Sequence, residues 1–434
     1  MKYYVISPNA DSQGSERFLP EIFNRHVALM GWGKDEHELG RMFANIQKGD
    51  RIIIAQGANR NKTVYAIGIA DSNSCKGEIV NQEIHLAQFI KDKQLLKSIR
   101  FNPKCTWGDA NRIRAIYSLK DNVEADRIIM NAIENLISKN IMKEQLKAMG
   151  NIILHGAPGT GKTYKAKQIA KQLNAKTQFV QFHPSYDYTD FVEGLRPIKQ
   201  EGNQIGFERK DGVFKAFCKE AIKKTNDQYV FIIDEINRGD MSKIFGELFF
   251  SIDPGYRGED GRVDTQYQNL IEDGDVFKDG FYVPENVYII GTMNDIDRSV
   301  ESMDFAMRRR FAFMEITAEE SQSMLTLEAF RKVNNVNADK AYAEVDELKG
   351  RMNALNEEII STQIGLSTDY QIGAAYFLKF ALYADHDKAQ AYEALWDNHL
   401  KNVITEYLRG TGDESSKFDK LKAAYDNGKT QNNG

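Results

Sequence analysis

The distribution of apolar and polar residues divides the chain into a front part of short apolar runs and a longer part in which strands and helices alternate. In residues 1–120, runs rich in β-branched and aromatic residues end at glycine, proline, asparagine or aspartate, a pattern typical of strands. The predicted strands are 3–6, 51–55, 64–70 and 112–119, with short helices at 18–23 and 36–43. This set favours a small mixed α/β domain with a strongly curved sheet or barrel.

A charged segment with helical spacing follows the front part. Its apolar side chains fall on one stripe of a helix predicted at 125–149, namely Ile128, Ile129, Ala132, Ile133 and Leu136. The segment lacks the glycine and proline runs of a free linker. We therefore interpret residues 121–149 as a helical connector that packs on its neighbours.

From residue 150 onward, apolar strands alternate with helical segments, which predicts an α/β domain on a parallel sheet over residues 150–317. The predicted strands are 152–154, 177–182, 229–234, 287–292 and 311–316. Residues 198–212 carry two turn signals, Gly202-Asn203 and Asp211-Gly212, and predict a β-hairpin inserted into the second helix. Residues 318–412 are typical of helices, and the polar tail 413–434 is expected to be poorly ordered.

Length and composition limit the possible classes of protein. The 434 residues suffice for two or three domains. Three widely separated cysteines match no zinc or disulfide spacing. No apolar run approaches the length of a membrane span, and the amino terminus does not resemble a signal peptide. These features predict a protein of the reducing cytoplasm.

Charge is distributed unevenly along the chain. Residues 1–120 contain 18 basic and 12 acidic residues, a net charge of +6, so the remainder carries −11 of the total −5. If a polyanion binds, this asymmetry favours the front part as the surface that meets it. The other interpretation is a scattered, solvated surface.

A glycine-rich stretch carries the clearest chemistry in the chain. It follows the predicted strand 152–154 and precedes a helical pattern, the context of a phosphate-binding loop. Backbone N–H groups of such a loop point at phosphate oxygens, and the helix amino terminus adds partial positive charge. Lys162 would reach the β- and γ-phosphates, and Thr163 would bind Mg²⁺. The predicted nucleotide-binding residues are Gly156, Pro158, Gly159, Thr160, Gly161, Lys162 and Thr163.

Two carboxylates end the apolar strand 229–234. Ligands of parallel sheets lie at the carboxyl ends of the strands, so both side chains are expected beside the phosphate-binding loop. Asp234 is predicted to hold Mg²⁺ or its water, and Glu235 to polarise the attacking water. An ordinary helix cap is the alternative interpretation.

Polar residues also follow the strand 287–292. Asn294 lies at the strand end, where its amide could bind the γ-phosphate or the water, and Asp297 and Arg298 come directly after it. The segment 369–377, between the predicted carboxyl-terminal helices, is a further candidate to enter the nucleotide site from above.

Three consecutive arginines, Arg308, Arg309 and Arg310, precede the last predicted strand. They cannot all serve one site on the same subunit. We interpret one or two of them as fingers that reach the γ-phosphate of a neighbouring subunit, where a cation stabilises transition-state charge. A solvated basic turn or a DNA-facing patch would produce the same pattern.

Residues 150–410 together resemble the AAA+ superfamily and, within it, the McrB family of GTPase motors from methylation-dependent restriction systems. The matching segments are QFHPSYDYTDFVEGLRP, IIDEINRGDMSKIFGEL, FYVPENVYIIGTMNDIDRS and DFAMRRRF. Asn294, Asp297 and Arg298 match the signature residues of the family, and Arg309 and Arg310 match its trans-acting arginines. The family usually has Thr-Ala where this chain has Asp295-Ile296.

The resemblance implies an AAA+ core with a carboxyl-terminal helical lid, GTP and Mg²⁺ as cofactors, a hexameric ring and a McrC-like nuclease partner. The residues alone would favour ATP, because the guanine-reading NKxD motif is absent. No convincing nuclease site is found in the chain: Glu347-Leu348-Lys349 has a Glu-x-Lys spacing but lies on a predicted helix.

The front part resembles the EVE/YTH-like branch of the PUA superfamily. The matching words are GWG at 31–33 and IQKGDRIIIAQG leading into VYAIGIA. Members of this branch commonly bind a modified base that has been extruded from its strand. The resemblance implies that Trp32 and Trp107 line an aromatic pocket for such a base in modified DNA, whereas a role in the core is the simpler alternative.

Two other functions remain open. The predicted hairpin also resembles the MoxR group, whose members are ATP-driven remodellers of protein complexes. Alternatively, the front part binds nucleic acid or protein and the nucleotide merely locks assembly.

Overall fold

The structure, a computed structural model, describes most of the chain. The described residues are 1–6, 19–30, 38–56, 63–73, 82–91, 96, 116–119, 124–199, 205–296 and 305–428. Trp32 and Trp107, as well as Asp297 and Arg298, lie outside these residues. The chain divides into two compact units, Met1–Ile141 and Met142–Gly434. None of the described helices is long and apolar enough to cross a membrane.

The first unit contains a six-stranded mixed sheet with the strand order β2-β5-β4-β3-β1-β6. Its strands are β1 (Tyr3–Ile6), β2 (Val27–Met30), β3 (Arg51–Gln56), β4 (Thr63–Ala70), β5 (Gln82–Ile90) and β6 (Ile116–Ser118). Two short helices, α1 (Leu19–Arg25) and α2 (Glu38–Ala44), lie between the first strands. The sequence predicted β1, β3 and β4 closely, but it missed β2 and β5.

Alternate side chains of the strands enter two different cores. Tyr4 and Ile6 of β1 belong to one buried cluster, whereas Tyr3 and Val5 belong to another, as the two-residue repeat of a strand requires. The second cluster includes apolar residues from the first part of a long helix, α3 (Glu124–Met149). The Arg51 guanidinium also donates two hydrogen bonds to the Glu134 carboxylate, with a shortest distance of 2.6 Å. The first part of α3 therefore contributes directly to the core of this unit.

The second unit is built on a five-stranded parallel sheet with the order β13-β7-β12-β11-β8. Its strands are β7 (Asn151–His155), β8 (Lys176–Gln181), β11 (Tyr229–Asp234), β12 (Val287–Thr292) and β13 (Ala312–Glu315). The helices of this part are α4 (Lys162–Gln172), α5 (Tyr188–Phe191), α6 (Val213–Ile222), α7 (Met241–Phe245), α8 (Leu248–Ser251) and α9 (Phe305–Arg308). Strands β7, β11 and β12 are almost continuously buried, because a parallel sheet is covered on both faces. The parallel α/β sheet expected from the sequence is confirmed.

The predicted β-hairpin is present between α5 and α6. Strands β9 (Glu193–Lys199) and β10 (Ile205–Asp211) pair antiparallel over their full length. A buried ion pair anchors the base of the hairpin: the fully buried Lys215 donates to Glu193 at 2.7 Å and to Thr265 Oγ1 at 3.1 Å. Arg209 donates to the same carboxylate at 2.9 Å. Burial acts to raise the pKa of Glu193, but hydrogen bonds from Lys215, Thr265 and the Tyr267 N–H, together with the charge of Lys215, hold that pKa below its usual value.

Loss of the Glu193 charge should weaken this unit markedly. We expect Glu193→Gln to lower the free energy of unfolding by about 3 kcal/mol, because it leaves the buried Lys215 ammonium without its counter-charge. Glu208→Gln on the same hairpin is the matched control, since Glu208 and Lys210 are both exposed, and it should change stability by less than about 0.5 kcal/mol. Denaturant unfolding of the two variants tests this expectation, and equal midpoints would contradict it.

The carboxyl-terminal part of the second unit is helical. Its longer helices are α11 (Leu327–Val333), α12 (Ala338–Ala343), α13 (Val345–Ile359), α15 (Lys388–Leu395), α16 (Lys401–Leu408) and α17 (Glu414–Asn427), and single turns form α10 (Ala318–Ser321) and α14 (Ala374–Phe377). A separate apolar core joins these helices.

The expectation of poor order in the tail is wrong for residues 414–427, which form α17. Leu421 and Tyr425 of this helix are buried in the helical core, and the Tyr425 hydroxyl donates to the Tyr392 carbonyl at 3.0 Å. The average composition of the tail is polar, but the apolar side chains recur at helical spacing, and tertiary packing stabilises the helix.

The Glu-x-Lys spacing in this region has a structural role. The Glu347 carboxylate accepts two hydrogen bonds from the buried Arg351, the shorter at 2.8 Å, and pairs with Lys388 at 2.8 Å. Burial acts to raise the pKa of Glu347, but hydrogen bonds from Lys388 and Arg351 hold it below its usual value. Glu347 thus links α13 to α15, and Arg351 extends this ion-pair network to Asp426 of α17 at 3.7 Å.

Candidate nucleotide-binding site

The glycine-rich loop connects β7 to α4 and adopts backbone conformations that side chains disfavour. Gly156, Gly159 and Gly161 have φ angles of 131°, 76° and 85°. At Gly156 a Cβ atom would also lie 2.5 Å from the Ile316 carbonyl oxygen. The buried Thr160 hydroxyl closes the loop by donating to the Ala157 carbonyl at 3.0 Å. These glycines are therefore required by the path of the loop.

Lys162, the first residue of α4, folds back over the loop. Its ammonium group donates to the carbonyl oxygens of Gly156 and Ala157 at 3.0 and 2.8 Å, and the side chain is buried. Burial lowers the pKa of Lys162 to about 8, although the nearby carboxylates of Asp295, Glu235 and Asp234 oppose the shift. A buried cation held against its own loop is available to pair with an incoming polyphosphate.

Two hydroxyl groups converge on Asp234 at the end of β11. Thr163 Oγ1 and Thr292 Oγ1 each donate to Asp234 Oδ1 at 2.6 Å. This arrangement joins the start of α4, the end of β11 and the end of β12 in one contact. Sequence reasoning missed Thr292, although its position at the carboxyl end of a central strand was the available signal.

Glu235 occupies a strained position next to Asp234. Its backbone lies in the left-handed region, with φ 51° and ψ 47°, which non-glycine residues adopt rarely. The Glu235 carboxylate accepts hydrogen bonds from Asn294 Nδ2 at 2.8 Å and from Arg238 Nε at 3.1 Å. The carboxylate is thus oriented from two sides, and such strain is typical of functional sites.

The structure brings the predicted residues of three strand ends together. Thr163 is hydrogen-bonded to Asp234 and Asn294 to Glu235, while Lys162 is held against the glycine-rich loop between them. Asp295, the residue after Asn294, accepts a hydrogen bond from His155 Nδ1 at 2.9 Å. Sequence reasoning did not single out His155.

The three consecutive arginines differ in their surroundings. Arg310 is buried, with Nη1 donating to the Ala306 carbonyl at 2.5 Å and Nε lying 3.8 Å from an Asp253 oxygen. Arg309 is exposed, and so is Arg308, whose guanidinium lies 5.5 Å from the centre of the Phe313 ring. Arg310 is therefore engaged within its own chain, whereas Arg309 lies at the surface.

The segment before α14 lies directly on the glycine-rich loop. Gly373 N–H donates to the Pro158 carbonyl at 2.9 Å, and Ala375 N–H donates to the Gly159 carbonyl at 3.0 Å. A Cβ atom at Gly159 would collide with the Tyr376 ring at 2.6 Å. The loop and the helical part of the unit therefore share hydrogen bonds as well as close packing.

Because of this packing, we expect Gly373→Ala to displace the segment before α14 from the glycine-rich loop. An added Cβ atom would overlap the backbone of Gly159 and Thr160. Misplacement of this kind should lower kcat/KM for nucleotide hydrolysis by about 10- to 100-fold. Gly274→Ala is the matched control, because nothing lies within 4 Å of its added Cβ, and steady-state kinetics of both variants tests the expectation. Unchanged kinetics for Gly373→Ala would contradict it.

The donor atoms fit a magnesium nucleotide. Thr163 and Asp234 present hard oxygen atoms next to each other, which suits the ligand preference of Mg²⁺. The loop offers backbone N–H groups at a helix amino terminus, and the buried ammonium of Lys162 supplies a positive charge. The geometry is that of a site for a nucleoside triphosphate.

Comparison with known proteins agrees with this geometry. Residues 151–311 match the family model of the AAA domain, dynein-related subfamily. The chain is 39% identical over 267 residues to the type IV methyl-directed restriction enzyme EcoKMcrB subunit of Escherichia coli K12, covering 60% of this chain and 53% of that protein. It is 27% identical over 210 residues to component YdiS of the type II restriction enzyme BsuMI of Bacillus subtilis 168, covering 42% of this chain and 59% of that protein.

A solved structure assigned as an ATPase of Cytophaga hutchinsonii overlaps 67% of this chain and 93% of its own, with a TM-score of 0.28 and 16% identity. That overlap is too loose to bear on fold or function. The chain spans between half and three fifths of the length of the two curated relatives. The geometry and the matches together support nucleoside triphosphate hydrolysis. The chain therefore contains an AAA-type nucleotide-binding domain and is a homologue of the McrB subunit of a restriction enzyme.

Proposed function

We propose that this chain is the GTP-hydrolysing motor subunit of a modification-dependent restriction system. The observation that carries the proposal is the hydrogen-bonded group of Thr163, Asp234, Glu235 and Asn294 beside Lys162 in a homologue of a restriction-enzyme subunit. Restriction enzymes of this kind combine nucleotide hydrolysis, DNA recognition and cleavage, and the first of these is the task that this site can perform.

Each residue of the site has a distinct task in the proposed reaction. Lys162 and the loop N–H groups bind the β- and γ-phosphates, while Thr163 and Asp234 hold the metal. Bound Mg²⁺ neutralises charge that develops on the phosphate oxygens. Glu235 orients the water and accepts its proton, and Asn294 fixes the Glu235 carboxylate through the 2.8 Å hydrogen bond.

The choice of GTP rests on the resemblance to McrB-type GTPases. Turnover of GTP and of ATP by the purified chain, each in the presence of excess of the other nucleotide, tests this choice. GTP hydrolysis that survives excess ATP supports the proposal. The reverse result would instead favour an ATP-driven remodeller of the MoxR kind.

The proposal includes a ring of subunits, hexameric as in the family, and a separate McrC-like nuclease. Both curated relatives are named as parts of larger restriction enzymes, one as a subunit and one as a component. The exposed Arg309 would reach a neighbouring site in such a ring. Mass measurement of the chain with and without nucleotide tests assembly, and a chain that stays monomeric during full turnover would exclude the ring.

Recognition of modified DNA is proposed for the first unit. Support comes from the net charge of +6 over residues 1–120 and from the resemblance of this part to the EVE/YTH-like branch. Trp32 and Trp107 remain the proposed pocket residues. Gel-shift titration of the full chain with a cytosine-methylated duplex and the same unmodified duplex tests the role, at stated salt because phosphate contacts depend on it. Equal affinity for the two duplexes would contradict it.

A further inference from the structure

The contact between His155 and Asp295 joins two loops of the nucleotide site. His155 ends β7, directly before the glycine-rich loop, and Asp295 follows Asn294 beyond the end of β12. His155 Nδ1 lies 2.9 Å from Asp295 Oδ2, and the two side chains are 25% and 17% exposed. None of the roles assigned above to the site uses either side chain.

The loop after β12 is fixed by a series of contacts that includes this one. Thr292 bonds to Asp234, the Met293 N–H donates to the Leu154 carbonyl at 3.0 Å, and Asn294 bonds to Glu235. Asp295 extends the series toward the glycine-rich loop. The histidine contact thus fixes the loop between Asn294 and Ile296, which packs against the helical core.

The histidine ring is itself held in place. The Ile316 N–H donates to the His155 carbonyl at 2.8 Å and fixes the backbone, and the imidazole and the Phe313 ring meet in a T-shaped contact at a centroid distance of 5.8 Å. The imidazole is therefore a preorganised donor for a carboxylate, in the tautomer that carries its proton on Nδ1.

The charge of Asp295 matters because of its neighbour Lys162. Asp295 is the strongest of the three carboxylates that favour the charged form of the Lys162 ammonium. A released carboxylate would compete with phosphate for this ammonium and would repel the polyanion, and such interactions are strong in a partly buried site. Binding of a triphosphate therefore benefits from a hydrogen-bond donor that holds the Asp295 carboxylate away from Lys162.

We propose that His155 is a positioning residue that holds the Asp295 carboxylate away from the polyphosphate site and secures the loop carrying Asn294. The inference rests on the proposed nucleotide hydrolysis and deepens it. By holding the Asp295 carboxylate, His155 would allow an anionic polyphosphate to bind although an anionic side chain lies close to the site.

A double-mutant cycle on the full chain tests the proposal. The variants are His155→Ala, Asp295→Asn and their combination, and each is assayed with whichever of GTP or ATP the unmodified chain hydrolyses. We expect His155→Ala to raise KM by about tenfold in the presence of Asp295 and to have little effect on KM in the Asp295→Asn background. His155→Asn should restore most of the affinity, because its amide nitrogen takes the position of Nδ1.

The outcomes separate the two proposals. An unmodified chain that hydrolyses neither nucleotide would overturn the proposed function. If that chain is active, an unchanged KM for His155→Ala overturns the inference, and so does an equal rise of KM in both backgrounds. Thermal unfolding of each variant shows whether it is folded. If His155→Ala does not fold, the test rests on His155→Asn: a tenfold rise of KM in a folded His155→Asn variant overturns the inference.

Discussion

Glu235→Gln should reduce turnover by at least about 100-fold while leaving nucleotide binding intact. The amide keeps the shape of the carboxylate and can still accept a hydrogen bond from Asn294, but it cannot take a proton from water. Loss of a general base typically reduces rates by about 10²- to 10⁴-fold. The measurement is single-turnover hydrolysis together with the affinity for a non-hydrolysable GTP analogue.

A second acidic residue provides the control for this variant. Glu328 lies on α11, outside the site, with its side chain 82% exposed, so Glu328→Gln should retain full activity. Retained turnover in Glu235→Gln would exclude Glu235 as the base. A parallel loss of binding would instead indicate that the substitution had disturbed the loop, since Glu235 holds an unusual left-handed backbone.

Arg309→Ala should reduce hydrolysis by about 10³-fold or more without unfolding the protein, because an arginine that reaches a neighbouring γ-phosphate contributes this much to the rate. The exposed position of Arg309 makes it a suitable candidate, whereas Arg310 is buried against Ala306 and Asp253. Arg310→Ala is therefore expected to lower stability as well as activity. Arg308→Ala is the matched surface control, and turnover and thermal unfolding of the three variants distinguish these roles.

Mixing of two inactive variants tests whether Arg309 acts between subunits. An Arg309→Ala subunit retains its own Glu235, and a Glu235→Gln subunit retains its own Arg309. A ring containing both would pair an intact site with an intact arginine, so partial recovery of turnover is expected. A mixture that recovers no turnover would contradict the assignment. So would an Arg308→Ala variant that loses all turnover while Arg309→Ala remains active.

Local sequence patterns were sufficient to predict which residues meet at the centre of the proposed nucleotide site. The glycine-rich loop, the carboxylates after β11 and the asparagine after β12 each lie within a few residues of a strong apolar strand. Parallel strands carry such ends to one edge of the sheet, so residue type and strand position together predicted that Asp234 and Asn294 lie at the same edge as the glycine-rich loop that ends at Lys162. The hairpin before α6 was equally predictable, because its turn residues mark its ends.

Patterns failed where local signals were weak or where average composition misled. Strands β2 and β5 are short or polar in alternate positions, and their pairing with β4 and with each other stabilises them. Helix α17 was missed because its polar composition concealed two residues that become buried, Leu421 and Tyr425. In each case the stabilising partner is distant in sequence.

The sequence by itself determined which residue types form the proposed site: a glycine-rich loop with its lysine, a hydroxyl and a carboxylate suited to a metal, and a second carboxylate next to them, since these depend on residue type and on short-range backbone geometry. Only the tertiary structure decided which of two adjacent arginines is buried, that Gly373 packs on Gly159, and that His155 holds Asp295. The physical reason is that these last features are contacts between separate elements. Such contacts are set by how helices and sheet pack, which short sequence patterns do not encode.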